Sequence, residues 1–212
     1  MKKAPLLLAA LLASAAALPV IAQDMPKEAP GAPDPARITG GTYKADPYHT
    51  QVGFDVLHLG FSQYRGLIGD ITGTLTLDPK KPAAAKVSID IPLEGIKTTS
   101  ADLDKHLKAA DFFDATKFPT AHFESTSVKV NGTKAVIAGN LTIKGVTKPV
   151  VLDTKFVGAG KMFNPMTKAT TEQVGFEATT TIKRSDFGVS YGVPLVPDAV
   201  PLTISVAFEK PA

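Results

Sequence analysis

Residues 133–157, TKAVIAGNLTIKGVTKPVVLDTKFV, hold two runs in which inward and outward side chains take turns. Ala135, Ile137, Gly139, Leu141 and Ile143 alternate with Val136, Ala138, Asn140 and Thr142. Val150, Leu152, Thr154 and Phe156 alternate with Val151, Asp153 and Lys155. A period of two is that of a β-strand, whose successive side chains point to opposite faces. Lys144 and Gly145 mark the turn, and Pro149, which has no N–H to give a ladder, stands where a strand begins. The stretch is predicted to be a long hairpin with one apolar face. A lone hairpin is not stable in water, so more strands must cover that face.

The flanking sequence supplies them. Downstream, Val174, Phe176, Ala178 and Ile182 alternate with Glu177, Thr179, Thr181 and Lys183, and Leu202, Ile204, Val206 and Phe208 alternate with Thr203, Ser205 and Glu209. Upstream, Asn131-Gly132, a strong two-residue hairpin signal, joins a less regular strand over 120–130 to the quoted hairpin. Val87, Ile89, Ile91 and Leu93 share a face, as do Ile71, Gly73, Leu75 and Leu77, and as do Val52, Phe54, Val56 and His58. Eight strands result. Each has one apolar and one polar face and the connections are short, so the sheet is antiparallel with one face in water. Closure into a barrel removes the exposed edges; a two-sheet sandwich is the alternative. The expected fold is all-β, an eight-stranded antiparallel barrel with one short helix. Such a barrel is filled by its own side chains or holds one small ligand. The inward rows include Gly73, Ala135, Gly139 and Ala178, and there is no Trp, which points to an apolar lumen; the alternative is that longer neighbours fill it.

The helix lies in TTSADLDKHLKAADFFD. Thr99 and Asp102 fit a capping box, and Leu103, Leu107 and Ala110 fall on one side at helical spacing. The loop that follows carries Phe112, Phe113 and Phe118, either plugging one end of the core or forming a lid. The segment 100–119 is a candidate gate for ligand entry.

The chain begins MKKAPLLLAALLASAAALPVIA: two lysines, an apolar run, then small residues ending at Ala22. This is the pattern of a secretory signal peptide, with export to the periplasm expected. Its removal leaves 190 residues and lowers the formal charge from +3 to +1, because Lys2 and Lys3 go with it. A charge so near zero gives no field for nucleic acid. With no Cys there is no disulfide, and the core alone must hold the domain. Residues 23–37, with four prolines, are expected to be a flexible leader, and the domain to span 38–212.

Catalytic apparatus is sparse. His49 and His58 have opposite strand parity, and Asp102 with His106, one helical turn apart, reads more simply as a solvated pair than as a metal site. No phosphate loop and no nucleophile elbow is present, so no catalytic residue, metal or cofactor is expected.

Five segments in this order, Tyr43-x-x-Asp46-x-x-His49-Thr50, VGFDVLHLGFSQYRGLIGDITG, DFFDATKFPTAHFES, GNLTIKGVTKPV and GFEATTTIKRSDFGV, resemble the YceI-like family of periplasmic lipid- or polyisoprenoid-binding proteins. The likeness runs over residues 42–208. Family members carry Trp where this chain has Tyr43 and often Ser where it has Thr50, changes that keep shape and polarity. The resemblance implies a lipocalin-like barrel that binds a long isoprenoid chain, of the polyprenyl phosphate or ubiquinone kind, without catalysis. The ligand contacts it implies here are Val52, Phe54, Val56, Leu75, Ile89, Ile91, Phe112, Phe113, Phe123, Ile137, Leu141, Phe156 and Phe176, with His58 and Arg184 nearest a head group. Arg184 has a second reading, pairing with Asp186 to hold a strand corner. At about 0.8 kcal/mol per buried CH₂, a prenyl chain of some tens of carbons grosses more than the roughly 20 kcal/mol ceiling of non-covalent affinity, so apolar contact suffices for holding. An isoprenoid lipid or quinone is the expected partner, with a membrane redox protein or a second copy of the chain as open additions. The rival reading is a structural protein with a filled barrel that binds a protein partner.

Overall fold

The quoted hairpin forms as expected. In the computed structural model, which describes residues 28–164 and 168–211, Ala135 pairs with Thr154 and Ile137 with Leu152, and the turn closes with positive φ at Lys144 (52°) and Gly145 (77°). The signal peptide, 1–22, lies outside the described residues.

The strands are β1 (Gly41–Ala45), β2 (Gln51–His58), β3 (Ser62–Ile68), β4 (Thr72–Leu77), β5 (Lys86–Pro92), β6 (Ile96–Lys97), β7 (Thr120–Asn131), β8 (Lys134–Ile143), β9 (Val146–Asn164), β10 (Ala169–Lys183) and β11 (Ala199–Pro211). All pairings are antiparallel. Eight of them form a closed ring in the order β1-β4-β5-β7-β8-β9-β10-β11, sealed where β1 returns to β11. The expected barrel of eight is therefore present, but with a changed member. β1 holds the place expected for β2. β2 pairs with β11 only from Gln51 to Phe54 and then carries β3 and β6 away from the ring.

The exchange is built by the first of the quoted segments. Both β1 and β2 need the same edge of β11, and residues 46–50 turn the chain between them. The Asp46 amide donates to the Ala207 carbonyl (2.9 Å), and Thr50 Oγ1 meets both polar groups of Ala207. The Asp46 carboxylate accepts from the Tyr48 amide (2.9 Å) and lies 2.6 Å from His49 Nδ1.

Two bulges explain the irregular alternation. Between Ser125 and Ser127 the register of β7 slips, so Phe123 and then Val128 and Val130 face inward. At Gly175/Phe176 the β9–β10 register slips likewise, after which Ala159 rather than Gly158 faces Val174.

The helix α1 (Ala101–Lys108) starts one residue later than expected: Ser100, not Thr99, is the N-cap, its hydroxyl accepting from the Leu103 amide (3.3 Å). Asp104, not Asp102, reaches back, accepting from the Thr98 amide (2.6 Å) and hydroxyl (2.7 Å). Leu107, Leu103, Phe112 and Phe113 pack with Leu93, Ile96, Ala121, Leu141, Ile143 and Phe187 at one end of the barrel. Lys144 Nζ donates to the carbonyls of Ala110 (3.1 Å) and Phe112 (2.6 Å), binding this plug to the hairpin turn.

The corner between β10 and β11 is held by Arg184, which is buried. Nε donates to Pro197 O (2.9 Å), Nη1 to Val189 O (3.0 Å) and Tyr191 O (2.8 Å), and Nη2 to Val196 O (2.8 Å). It does hold a corner, but through backbone carbonyls and the field of Asp198 rather than through Asp186. Burial lowers its pKa and Asp198 opposes that shift.

At the other end the leader is not without structure in its second half. Ala32 exchanges hydrogen bonds with Ala159 (3.1 and 2.8 Å), and Pro35–Arg37 form a short 3₁₀ turn. A Cβ added to Gly160 would lie 2.1 Å from the Pro30 carbonyl, so a glycine there is what lets the segment lie flat on β9. Glu172, buried between Lys161 and Lys210, fixes the segment and β1 together. Its Oε2 accepts from the Thr39 amide (2.8 Å), the Thr39 hydroxyl (3.0 Å) and the Tyr43 hydroxyl (2.9 Å), and lies 3.1 Å from Lys210 Nζ. Burial alone raises the carboxyl's pKa, but these donors outweigh it and hold it at about 2.

The lowered value makes Glu172 a source of stability above the ordinary carboxyl pKa that is lost as pH falls towards 2. Urea denaturation across that range is expected to show wild-type stability declining below about pH 4.5. Glu172→Gln is expected to lower stability by about 3 kcal/mol at neutral pH and to flatten that decline. Gly139 faces the ring of Phe123, where an added Cβ would lie 2.5 Å from two ring carbons and 2.6 Å from the Glu124 carbonyl. Gly139→Val is therefore expected to destabilise by about 3 kcal/mol, read as a lower Tm.

Candidate functional site

The ring encloses an apolar cavity of about 260 Å³. Its wall is built in belts by cross-strand register. Ile89, Phe123 and Leu141 lie side by side on β5, β7 and β8. Ala135, Thr154, Ala178, Ile204 and Val52 run across β8, β9, β10, β11 and β2. Phe156, Phe176 and Val206 follow on β9, β10 and β11, with Phe156 and Phe176 ring centroids 5.8 Å apart and Phe176 and Phe208 6.4 Å apart. Ile137, Leu152, Phe156, Phe176 and Ile204 point inward yet are only partly buried, because the space in front of them is open. Small residues make some of that room: Ala135 and Ala178 line the cavity as expected. Gly73 and Gly139 do not leave space. At Gly73, with φ 145°, an added Cβ would lie 2.2 Å from the Ser88 carbonyl, and the place of a side chain at Gly139 is taken by Phe123.

The mouth is set by where the lining becomes exposed. Pro35, Val130, Gly132, Thr133 and Lys134 are the exposed lining residues, and all lie at the end opposite α1. There β7 and β8 stop at Asn131 and Lys134 while β9 runs on to Asn164, leaving a notch. The leader segment enters it through Ala32, Pro35 and Ile38, and Pro79 and Pro82 border it from the β4–β5 connection. The expected gate at 100–119 is thus corrected: that segment plugs the closed end, and Phe112 and Phe113 are outside the cavity lining.

Of the expected contacts, Val52, Leu75, Ile89, Ile91, Phe123, Ile137, Leu141, Phe156 and Phe176 line the cavity. Phe54, Val56, His58 and Arg184 do not. Phe54 lies over Gly66, where an added Cβ would lie 2.1 Å from its ring. His58 is exposed near the tip of the β2–β3 hairpin, opposite Ser62, because β2 has left the ring before reaching it. Arg184 is spent on the corner described above. His106 lies edge-on to Phe112 and Tyr191, with Asp111 rather than Asp102 as its nearest carboxylate at 3.9 Å. The polar side chains on the lining are Thr50, Thr133, Lys134, Thr154 and Thr180, and none of these was among the expected contacts.

This geometry has relatives. The model of the YceI-like domain matches residues 43–208. A UPF0312 protein of Pseudomonas aeruginosa is 41% identical over 166 residues, 77% of this chain and 84% of its own, and Protein YceI of Shigella flexneri is 43% identical over an equal share. Among solved structures, a Campylobacter jejuni YCEI protein superposes with a TM-score of 0.60 at 30% identity, covering 73% of this chain and 90% of its own. A polyisoprenoid binding domain from Saccharophagus degradans, at 15% identity, shares the fold with a TM-score of 0.56 over 80% of this chain and 98% of its own. With the family model spanning most of the chain and the closed barrel in place, this protein belongs to the YceI-like family.

Proposed function

We propose that the chain is a binding protein that holds a long-chain isoprenoid lipid in its barrel, as a carrier or scavenger in the periplasm. The observation that carries this reading is the cavity. At about 24 cal/mol per Å³, leaving 260 Å³ unfilled forfeits about 6 kcal/mol of packing, comparable with the whole stability of many domains. An apolar cavity of about 150 Å³ already stays dry and takes up benzene, so this one is built for hydrocarbon. The filled-barrel alternative has no such space. Binding rather than turnover suits the lining, whose polar side chains are four threonines and one lysine. Family membership and the likeness to a polyisoprenoid binding domain support the same ligand class. The cargo is a polyprenyl phosphate or a quinone; a quinone would bring a membrane redox partner with it.

Native mass spectrometry of the protein purified from its own periplasm is expected to give a mass beginning at Gln23 with one bound lipid, which extracts into organic solvent as an isoprenoid. An empty protein that also fails to take up added prenyl lipid would overturn the reading. Ala135→Trp, which places a large ring in the lumen near its mouth, is expected to fold with an unchanged or higher Tm and to lose prenyl uptake at least about tenfold. Undiminished uptake would place the ligand elsewhere.

A further inference from the structure

The second half of the leader crosses one side of the mouth as a strap. From Pro30 to Arg37 every residue except the half-buried Ala32 is exposed, and at Ile38 the segment sinks into the same apolar cluster as Ala159. Pro35 and Ile38 line the lumen, as Val130 and Thr133 do from the β7–β8 turn. Among the described residues, the hydrogen bonds that tie 30–37 to the barrel are the pair exchanged by Ala32 and Ala159 (3.1 and 2.8 Å). The bonds of the Ala36 and Arg37 amides to Asp34 are internal to the segment, and neither Asp34 nor Arg37 joins an ion pair among the described residues. Beneath the strap β9 offers bare backbone. A Cβ on Gly158 would lie 3.2 Å from the Ala32 carbonyl oxygen, and one on Gly160 2.1 Å from that of Pro30, so the segment lies on glycines with no side chain to interlock with. Pro30, Pro33 and Pro35 fix φ and stiffen the segment, so it moves as one piece. Its far end is pinned: Ile38 is buried, and the Thr39 amide and hydroxyl both donate to Glu172 (2.8 and 3.0 Å).

We infer that residues 30–37 are a strap that lifts off β9 to widen the mouth and settles back once cargo is inside. The latch is the Ala32–Ala159 pair and the pivot is Ile38. A backbone hydrogen bond contributes little net stability, and an exposed segment held by two of them opens far more often than the barrel unfolds. The Thr39–Glu172 bonds hold the pivot while the rest swings, so opening does not disturb β1. With the strap down, the opening is the gap between it and the β7–β8 turn; with the strap up, that gap joins the free edge of β9 beyond Phe156. A long chain that threads lengthwise needs the wider aperture to enter and the narrower one to stay. The strap thus takes the role expected of the segment 100–119, which is packed at the closed end. This inference rests on the lumen-binding reading and adds how the lumen is entered.

The chain has no cysteine, so the double variant Ala32→Cys, Ala159→Cys adds a single disulfide that locks the strap down. Residues that exchange both bonds across an antiparallel pair stand about 5.5 Å apart at Cα, within disulfide range. The readout is release of tritiated geranylgeraniol from the loaded protein into excess phosphatidylcholine vesicles. The oxidised double variant is expected to release at least about tenfold more slowly than wild type, and dithiothreitol to restore the wild-type rate. Gly160→Val, whose side chain drives the Pro30 carbonyl away, is expected to release at least about threefold faster. Hydrogen exchange of the empty protein reads the motion without ligand: the Ala159 amide, which donates to Ala32, is expected to exchange at least about a hundredfold faster than amides in the middle of β9. Equal release from the oxidised, reduced and wild-type proteins, with the disulfide confirmed by mass, would overturn the strap and leave the lumen reading standing. An unchanged rate in Gly160→Val, or Ala159 protection equal to that of the rest of β9, would overturn it too. Failure of wild type to load geranylgeraniol would overturn the lumen reading instead, with hydrogen exchange still deciding whether the strap lifts.

Discussion

Two residue pairs, Lys44 with Glu209 and Ala45 with Phe208, close the barrel, and the enclosed lumen depends on them. The closure is short because β1 must share the edge of β11 with β2, so it needs reinforcement from outside the ladder. The Asp46–Thr50 corner supplies part, anchoring the crossover to Ala207. Glu172 supplies the rest from within, gathering Thr39, Tyr43 and Lys210 onto one carboxylate. Tyr43, fully buried, is the residue through which this clasp reaches β1. Its own pKa is raised, first by burial and then by its bond to Glu172, so it stays a neutral donor.

Closure at one end and a notch at the other give the lumen its direction. The helix and the Phe112–Phe113 loop are tied down by Lys144 and packed on Leu93, Ile96 and Ile143, so the lumen has a floor there. The notch exists because β9 and β10 outrun β7 and β8, and the leader segment borrows the free edge at Ala159 without filling the gap. The aromatic rings of Phe156, Phe176 and Phe208 stand between the mouth and the middle of the lumen. The size and apolar character of the lumen are thereby set by the wall, and the exposed part of its lining lies at the notch.

The alternation in residues 133–157 was enough to name the hairpin and its inward face, because a period of two fixes which side a residue faces. The same rule failed for His58. Parity places a side chain on a face, but it does not say whether the strand is still in the ring at that point, and β2 leaves before His58. It failed for Gly139 in another way: an absent side chain leaves space only if no neighbour takes it, and Phe123 does. Arg184 was half legible, since its sequence neighbourhood marked a corner, but its partners are carbonyls that no side-chain pattern reveals. Thr154 stood in a row already read as inward, whereas Lys134 was hidden because unequal strand lengths bring the end of β8 to the edge of the cavity. Leu152, Ile204 and Val206 were within reach, as they belong to rows already read as inward.

The central claim is that hydrocarbon lies inside this ring and enters from the notch. A crystal structure of the protein grown with geranylgeraniol tests it most directly. The expected result is a continuous tube of density along the belt from Leu141 past Ala135 and Phe176, with its hydroxyl end at the notch beside Val130 and Lys134. A lumen collapsed onto its own side chains, or lipid bound only on the outer faces of the strands, would contradict the account.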